Sequence, residues 1–484
     1  MTRRDAMIRR LQAIVPDEAI LRRPEELKPY ECDGLTAYRR VPWLVVLPEH
    51  ESQLVRILKL CHDEKVPLVV RGAGTGLSGG ALPLEEGLLV SLARFDRILE
   101  LDPLGRTARV QPGVRNLAIS GAARPHGLYY APDPSSQIAC SIGGNVAENA
   151  GGIHCLKYGL TVHNVIALRC LTMEGETVIL GSAGLDGPGY DLLALVHGSE
   201  GLLAVVTEIT VRLLPLPGCT RTLLAAFSTV AAAADAVAAV IEAGLIPAAM
   251  EMMDRPAIVA VEDYLQAGYP REAAALVICE LDGPEAQVEA EAAAARRQFE
   301  RHGAFRVQVA QDEAERQRFW QGRKSAFPAI GRITPDYYCM DGTIPRHRVA
   351  EVLAGIARLA DKYGLRVANV FHAGDGNLHP LIMYDAAAGE LEKVERLGRE
   401  ILELCVQVGG TITGEHGVGV EKLDSMCRQF GEGELRLFHA VKQAFDPRGL
   451  LNPGKAVPTL ARCAELGGMH VHQGRLPHPE LVRF

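Results

Sequence analysis

Two kinds of apolar spacing alternate along the first two hundred residues. After an N-terminal helix, Val41–Val46 has the look of a short strand, and residues 51–64 (ESQLVRILKLCHDE) then place apolar side chains at helical intervals. Val66–Val70, Gly87–Leu92 and Ala108–Val110 predict further strands, and the β-rich run Leu202–Leu214 closes this part of the chain. Pro215–Gly218 interrupts the pattern. Beyond it, Ala231–Ala243 and Glu285–His302 are alanine-rich with high helix propensity, and they flank the apolar strand-like run Ala275–Leu281. A second break falls near Pro447–Pro453, and the closing LPHPELVRF is expected to be a surface-packed tail. No internal repeat is visible. The pattern predicts an α+β protein divided at 1–217, 218–450 and 451–484.

Composition narrows the partners. A net charge of −8 argues against nucleic acid, whose phosphates need a basic surface. No apolar run approaches the roughly 20 residues of a membrane span, and the N-terminus shows no secretory signal. Eleven cysteines without a C-x-x-C pair suit reduced thiols in a cytoplasmic setting and supply no iron–sulfur motif.

Candidate chemistry lies in glycine-rich segments. Arg71, Gly72, Ala73, Gly74, Thr75, Gly76, Leu77 and Ser78, followed by Gly79 and Gly80, form an anion nest in which successive N–H groups can turn toward phosphate. No helix follows directly and no Gly-Lys-Ser/Thr is present, which excludes the Rossmann and P-loop motifs. A flexible turn is the plain alternative for this loop alone. Pro132-Asp133-Pro134-Ser135-Ser136 with the stretch Gly143–Gly152 (GGNVAENAGG), and His197–Gly201 (HGSEG), add two more close-approach surfaces. Three such surfaces in sequence point to one extended cofactor.

A second cluster follows. In Phe371–Pro380 (FHAGDGNLHP) the Asp375-Gly376 turn can fold His372 and His379 together across a hairpin. Thirty-six residues after His379, Glu415 and His416 stand in GEHGVG. Two imidazoles and a carboxylate are a common set for Zn²⁺, Mn²⁺ or Fe²⁺. A lone buried histidine is more often a hydrogen-bonded core residue, and the three together on glycine turns reverse that weighting. Arg323 offers a carboxylate anchor, with an ordinary surface cation as its alternative. His470 and His472 lack an acidic partner and are read as structural.

RGAGTGLSGG, PDPSS with GGNVAENAGG, HGSEGLLAVVTEITVRLLP and FDPRGLLNPGK, in that order, resemble the vanillyl-alcohol-oxidase type of FAD family. The resemblance implies a two-subdomain FAD-binding domain plus an α+β substrate cap with an antiparallel sheet. It implies that Arg71–Ser78 wraps the pyrophosphate. Pro132, Asp133, Ser136, Gly143, Gly144, Asn145, Ala147 and Gly151 would then line the flavin, with Glu200, Gly201, Val206, Ile209 and Asn452 completing the pocket. Some members attach FAD through a histidine in the first loop; this loop has none, so a non-covalent flavin is implied.

The second half is similar to the D-2-hydroxy-acid dehydrogenase branch, which includes D-lactate and D-2-hydroxyglutarate dehydrogenases and the multi-subunit glycolate oxidases. By that resemblance His372, His379 and Glu415 are metal ligands, Zn or Mn being favoured, His416 is the base and Arg323 meets the substrate carboxylate. Oxidation of glycolate or D-lactate is the implied activity. A second flavin subunit, an iron–sulfur subunit and contact with the inner face of the plasma membrane only through them are the implied partners. The 2-hydroxyglutarate enzymes carry a lysine where this chain has Tyr337–Met340, and a threonine where it has Phe327, so nothing is expected to meet a second carboxylate. A stand-alone D-2-hydroxy-acid dehydrogenase, a metallohydrolase and a non-catalytic flavin subunit are the competing readings.

Overall fold

Ala275–Gly283 is apolar at most positions because it lies at the centre of a sheet covered on both faces. Leu276 and Ile278 enter one core, while Ala275, Val277 and Cys279 enter the other, as the two-residue period of a strand requires. The computed structural model describes residues 2–184 and 187–466; the tail with His470, His472 and LPHPELVRF lies outside the described residues.

That sheet has seven strands. Their spatial order is Ala304–Val309, Cys219–Phe227, Ala275–Gly283, Ala249–Asp254, Arg366–Phe371, Pro380–Tyr384 and Asp336–Cys339, with antiparallel pairing throughout. The alanine-rich helices Val230–Glu242 and Glu285–Arg301 cover one face through Val237, Val288 and Phe299, joined by Val349–Tyr363 and Leu391–Gln407. Arg255–Leu265 and Glu313–Lys324 cover the other through Ile258, Val261, Phe319 and Trp320.

Before residue 216 the chain builds two smaller main sheets. One orders Ile20–Leu21, Leu44–Val46, Leu88–Ser91 and Leu68–Arg71, the last three parallel. The first glycine-rich loop is the crossover between the parallel neighbours Leu68–Arg71 and Leu88–Ser91. The second sheet is antiparallel, in the order Ile98–Asp102, Thr107–Val110, Val205–Arg212, Val165–Leu171 and Thr177–Gly181. After the long excursion through the seven-stranded sheet, Leu451 pairs in parallel with Leu68, so the C-terminal segment returns to the first sheet.

The GGNVAENAGG stretch begins as the helix Ile142–Glu148: Ser141 caps it by accepting from Gly144 N, and Asn149 ends it at φ +52°. One expectation needs correction: the cysteines are not all free thiols. Cys427 and Cys463 form a disulfide with Cα atoms 5.2 Å apart. Their 36-residue separation carries no pairing signal in a sequence.

The two halves are fastened by a buried carboxylate. Glu280 accepts from Thr222 Oγ1 (2.6 Å), Trp320 Nε1 (2.6 Å) and Arg316 Nε and Nη2 (2.9 Å each). His154, from the first half, lies between Glu280 (3.5 Å) and Asp133 (2.8 Å). Burial opposes the protonation of His154, but the two carboxylates outweigh it and push it up to about 10. A raised imidazole contributes stability fully below its unfolded value of about 6.5, and that contribution is lost as pH rises through the folded value. Urea midpoints of the wild-type protein should therefore decline between pH 6.5 and 10, and His154→Gln should flatten that decline. Glu280→Ala should cost roughly 3–5 kcal/mol in the same measurement, because it strands Arg316 and Trp320 without their acceptor.

Candidate active site

The strand Arg366–Phe371 delivers His372, and the turn at Asp375-Gly376 reverses the chain so that His372 pairs with Asn377. Gly376 has φ +84°, and a Cβ there would collide with the Ile344 carbonyl, so only glycine fits this turn. His379 then returns beside His372, with ring centroids 5.1 Å apart and planes at 82°. Glu415 Oε1 lies 3.3 Å from both His372 Nε2 and His379 Nε2. Ligand atoms about 2.0–2.2 Å from a single ion at tetrahedral or octahedral angles stand roughly 3.0–3.5 Å apart, so the spacing fits a cation among the three. His379 Nε2 is buried and has no hydrogen-bond partner among the described residues, as such a role requires.

Two carboxylates that the sequence did not flag organise this cluster. Glu251, 1% exposed, accepts from Arg323 Nε at 2.8 Å, and its other oxygen is 2.6 Å from His372 Nδ1. This fixes the tautomer with Nδ1 as donor and turns Nε2 toward Glu415. Burial opposes protonation of His372, yet Glu251 and Glu415 push it well above the usual range. For Glu415 burial acts upward, and the His372 bond with the nearby imidazoles outweighs it and holds the carboxyl at about 2. Both directions reflect the mutual attraction of imidazole and carboxylate in a desolvated cluster.

Asp341, fully buried, accepts from the backbone N–H groups of Gly414 (3.0 Å), Glu415 (3.2 Å) and His416 (2.8 Å), from Thr413 Oγ1 (2.6 Å) and from Asn377 Nδ2 (2.9 Å). Lys422 Nζ supplies its counter-charge at 3.2 Å. Three successive N–H groups on one carboxylate set the loop that presents Glu415 and His416. His416 stacks on His379 at 5.0 Å and 10°, and its Nδ1 has no partner among the described residues. Burial lowers His416 to about 4, with Asp341 opposing, so the ring is a neutral base at neutral pH.

One cavity of about 440 Å³ joins these parts. Its wall takes in Gly72, Ala73, Gly74, Thr75, Gly76 and Leu77 from the first loop, and Ser136, Gly143, Gly144, Asn145 and Ala147 from the second segment. Glu200, Gly201 and Val206 follow, and Arg323, His379, Glu415 and His416 close the far end. A Cβ on Gly76 would meet only Glu148 Oε1, at 3.9 Å, which leaves the loop open to a ligand there.

Several expected cofactor residues lie off this wall. Arg71 turns its guanidinium to the Cys32 carbonyl (2.6 Å) and over the Tyr30 ring. Ser78 is buried, and its carbonyl accepts from Val420 N. The Pro132 carbonyl accepts from Asn116, Asp133 is engaged with His154, and Ile209 packs into the core of the antiparallel sheet. Asn452 ties the C-terminal segment to Gly80 O and Glu200 O. Gly151 sits against Glu415 and Cys155 instead. His372 stands behind the wall. Arg323 reaches the cavity while paired to Glu251, and its Nη2 makes no hydrogen bond among the described residues although it lies 2.6 Å from Glu251 Oε2. Lys324 and Phe327 also line the wall, Lys324 as an exposed residue.

The cradle, the cavity and the two smaller sheets beside a large antiparallel sheet define a two-domain FAD-binding fold. Residues 42–181 match the FAD-binding domain family, and residues 216–456 match the family described as FAD linked oxidases, C-terminal domain. The chain is 62% identical to the glycolate oxidase subunit GlcD of Escherichia coli K12, over 99% of this chain and 97% of that one. It is 32% identical to a D-lactate dehydrogenase of Anaerostipes hadrus, over 93% of this chain and 96% of that one. The fold resembles the solved structure of p-cresol methylhydroxylase with a TM-score of 0.78, 16% identity, and coverage of 94% and 97% of the two chains. The chain belongs to the FAD-linked oxidases, and it is an FAD-dependent oxidoreductase.

Asp341→Ala should leave Lys422 and three loop N–H groups without their buried partner and destabilise the fold by roughly 3–5 kcal/mol. In hydrogen exchange, the amides of Gly414, Glu415 and His416 should lose their protection first. Unchanged protection at those three amides would show that Asp341 does not set the loop.

Proposed function

We propose that the chain oxidises a small 2-hydroxy acid, converting glycolate to glyoxylate and, as a second substrate, D-lactate to pyruvate. The observation that carries this reading is the single cavity running from the glycine cradle to His379, Glu415 and His416. Residues 1–217 would hold non-covalent FAD, 218–450 the substrate and cation, and 451–484 the return to the FAD side. The Escherichia coli relative, a glycolate oxidase subunit, and the Anaerostipes hadrus relative, a D-lactate dehydrogenase, support the two substrates.

Arg323 binds the substrate carboxylate with the N–H groups that Glu251 leaves open, and Glu251 keeps that guanidinium aimed. His416, kept neutral by desolvation, takes the hydroxyl proton. His372, His379 and Glu415 are the residues that would hold a divalent cation, Zn²⁺ or Mn²⁺; such an ion, when bound, acidifies a hydroxyl. FAD, when bound, supplies the acceptor for the hydride that leaves the carbinol carbon. Phe327 in the wall disfavours a second carboxylate, and Lys324, an exposed residue, draws anions toward the cavity.

The name of the Escherichia coli relative includes the word subunit. We read this chain likewise as one subunit of an assembly with a second flavin subunit and an iron–sulfur subunit that passes electrons toward membrane quinone. Among the described residues no helix is long and apolar enough to cross a membrane. The cytoplasmic placement proposed here, at the inner face of the plasma membrane, would then depend on the partners.

Anaerobic mixing of the flavin-loaded protein with glycolate, D-lactate and D-2-hydroxyglutarate tests this reading directly. Glycolate should bleach the flavin fastest. His416→Ala should retain its flavin and bleach at least about 10²-fold more slowly. D-2-hydroxyglutarate as the best substrate, or an undiminished His416→Ala rate, would overturn the assignment.

A further inference from the structure

Glu148 ends the helix Ile142–Glu148, and its carboxyl lines the same cavity as the glycine cradle. Oε2 is enclosed and has no hydrogen-bond partner among the described residues. The carboxyl lies between two loops: a Cβ on Gly80 would come within 2.7 Å of its Oε1, and a Cβ on Gly417 would collide with its Oε2. Gly80 belongs to the phosphate-binding loop, and Gly417 follows His416.

The surrounding donors are already committed. Glu200, the neighbouring carboxylate, takes the N–H groups of Val418 and Gly419 at 2.7 Å each. Lys455 Nζ donates to Gly80 O (3.0 Å), Leu82 O (2.5 Å) and Asn452 Oδ1 (2.6 Å). Lys422 Nζ donates to Asp341 Oδ2 (3.2 Å), Thr413 Oγ1 (3.3 Å) and Gly417 O (3.0 Å). No described donor therefore hydrogen-bonds Glu148 Oε2, and Glu200 beside it repels a charge there. A half-buried carboxyl without a donor favours the neutral acid, whose O–H then needs an acceptor. Burial first, then Glu200 and Asp33, push this carboxyl well above the ordinary range, with Lys422 and Lys455 opposing.

We propose that Glu148 is a further cofactor-contacting residue, whose carboxyl donates a hydrogen bond to an acceptor atom of the bound FAD. FAD offers phosphate oxygens as well as ring carbonyls and nitrogens, whereas an ionised glutamate here would repel the anionic cofactor. The inference rests on the flavin assignment of the family. It adds a residue that lies within a glycine-rich motif but is not itself a glycine or an amide.

The test uses full-length protein stripped of flavin and titrated with FAD. Glu148→Ala should bind FAD about tenfold more weakly, and Glu148→Gln, whose amide keeps a donor, should stay within about twofold of wild type. Infrared difference spectra of FAD binding should show a protonated carboxyl stretch that shifts in wild type and vanishes in Glu148→Gln. Wild-type affinity in Glu148→Ala, equal weakening in both variants, or no shifting carboxyl band would each overturn the proposal. If Glu148→Ala does not fold, the infrared comparison with Glu148→Gln decides alone. Failure of the wild type to take up FAD would instead sink the cofactor assignment itself.

Discussion

A largely buried carboxylate, Glu415, that no described lysine or arginine pairs with lies at the centre of the site. Around the cluster, Glu251 is matched by Arg323 and Asp341 by Lys422, while Glu415 has only the imidazoles of His372 and His379. With those rings neutral, as ligation requires, one negative charge remains in a largely desolvated cluster. Leaving it unpaired is costly. A divalent cation would turn the local sum from −1 to +1, which suits an anionic 2-hydroxy acid. Protonation of His372 would balance the charge without creating that attraction.

The same constraint ties the two halves together. The loop from Gly414 to Gly419 is held at one end by Asp341, from the second half, and at the other by Glu200, from the first. Ser78, at the end of the cradle, accepts from Val420 and Glu421 just beyond it. Gly419 has φ +52°, and a Cβ there would strike the Ser78 carbonyl. The first glycine-rich loop and the loop bearing His416 are therefore fastened to one another. Hydride transfer demands such control of distance, because sub-ångström misplacement of reacting groups is expensive in rate.

Part of this cluster was legible in the sequence because its residues stand out locally. His372 and His379 flank a strong turn dipeptide, and Glu415 and His416 stand between glycines. Strands such as Ala275–Gly283 and the helix Glu51–Asp63 were readable for the same reason, since periodicity is a short-range signal. Glu251 and Asp341 were missed as organisers: each lies more than seventy residues from Glu415, and buried carboxylates have no local signature until a fold surrounds them. Arg316, Trp320 and Arg323 do share one helical face at i, i+4 and i+7, which could have suggested buried acceptors opposite. The Ile142–Glu148 helix was hidden by its glycines, which disfavour helix in general but here admit the close approach of Pro112.

Metal content measured alongside flavin content in the same purified protein, for wild type and Glu415→Gln, bears most directly on the charge at the centre. The expected result is one divalent ion and one FAD per wild-type chain, with the variant losing the ion and keeping the flavin. A wild-type chain that oxidises its substrate at full rate with FAD but no divalent ion would contradict the account.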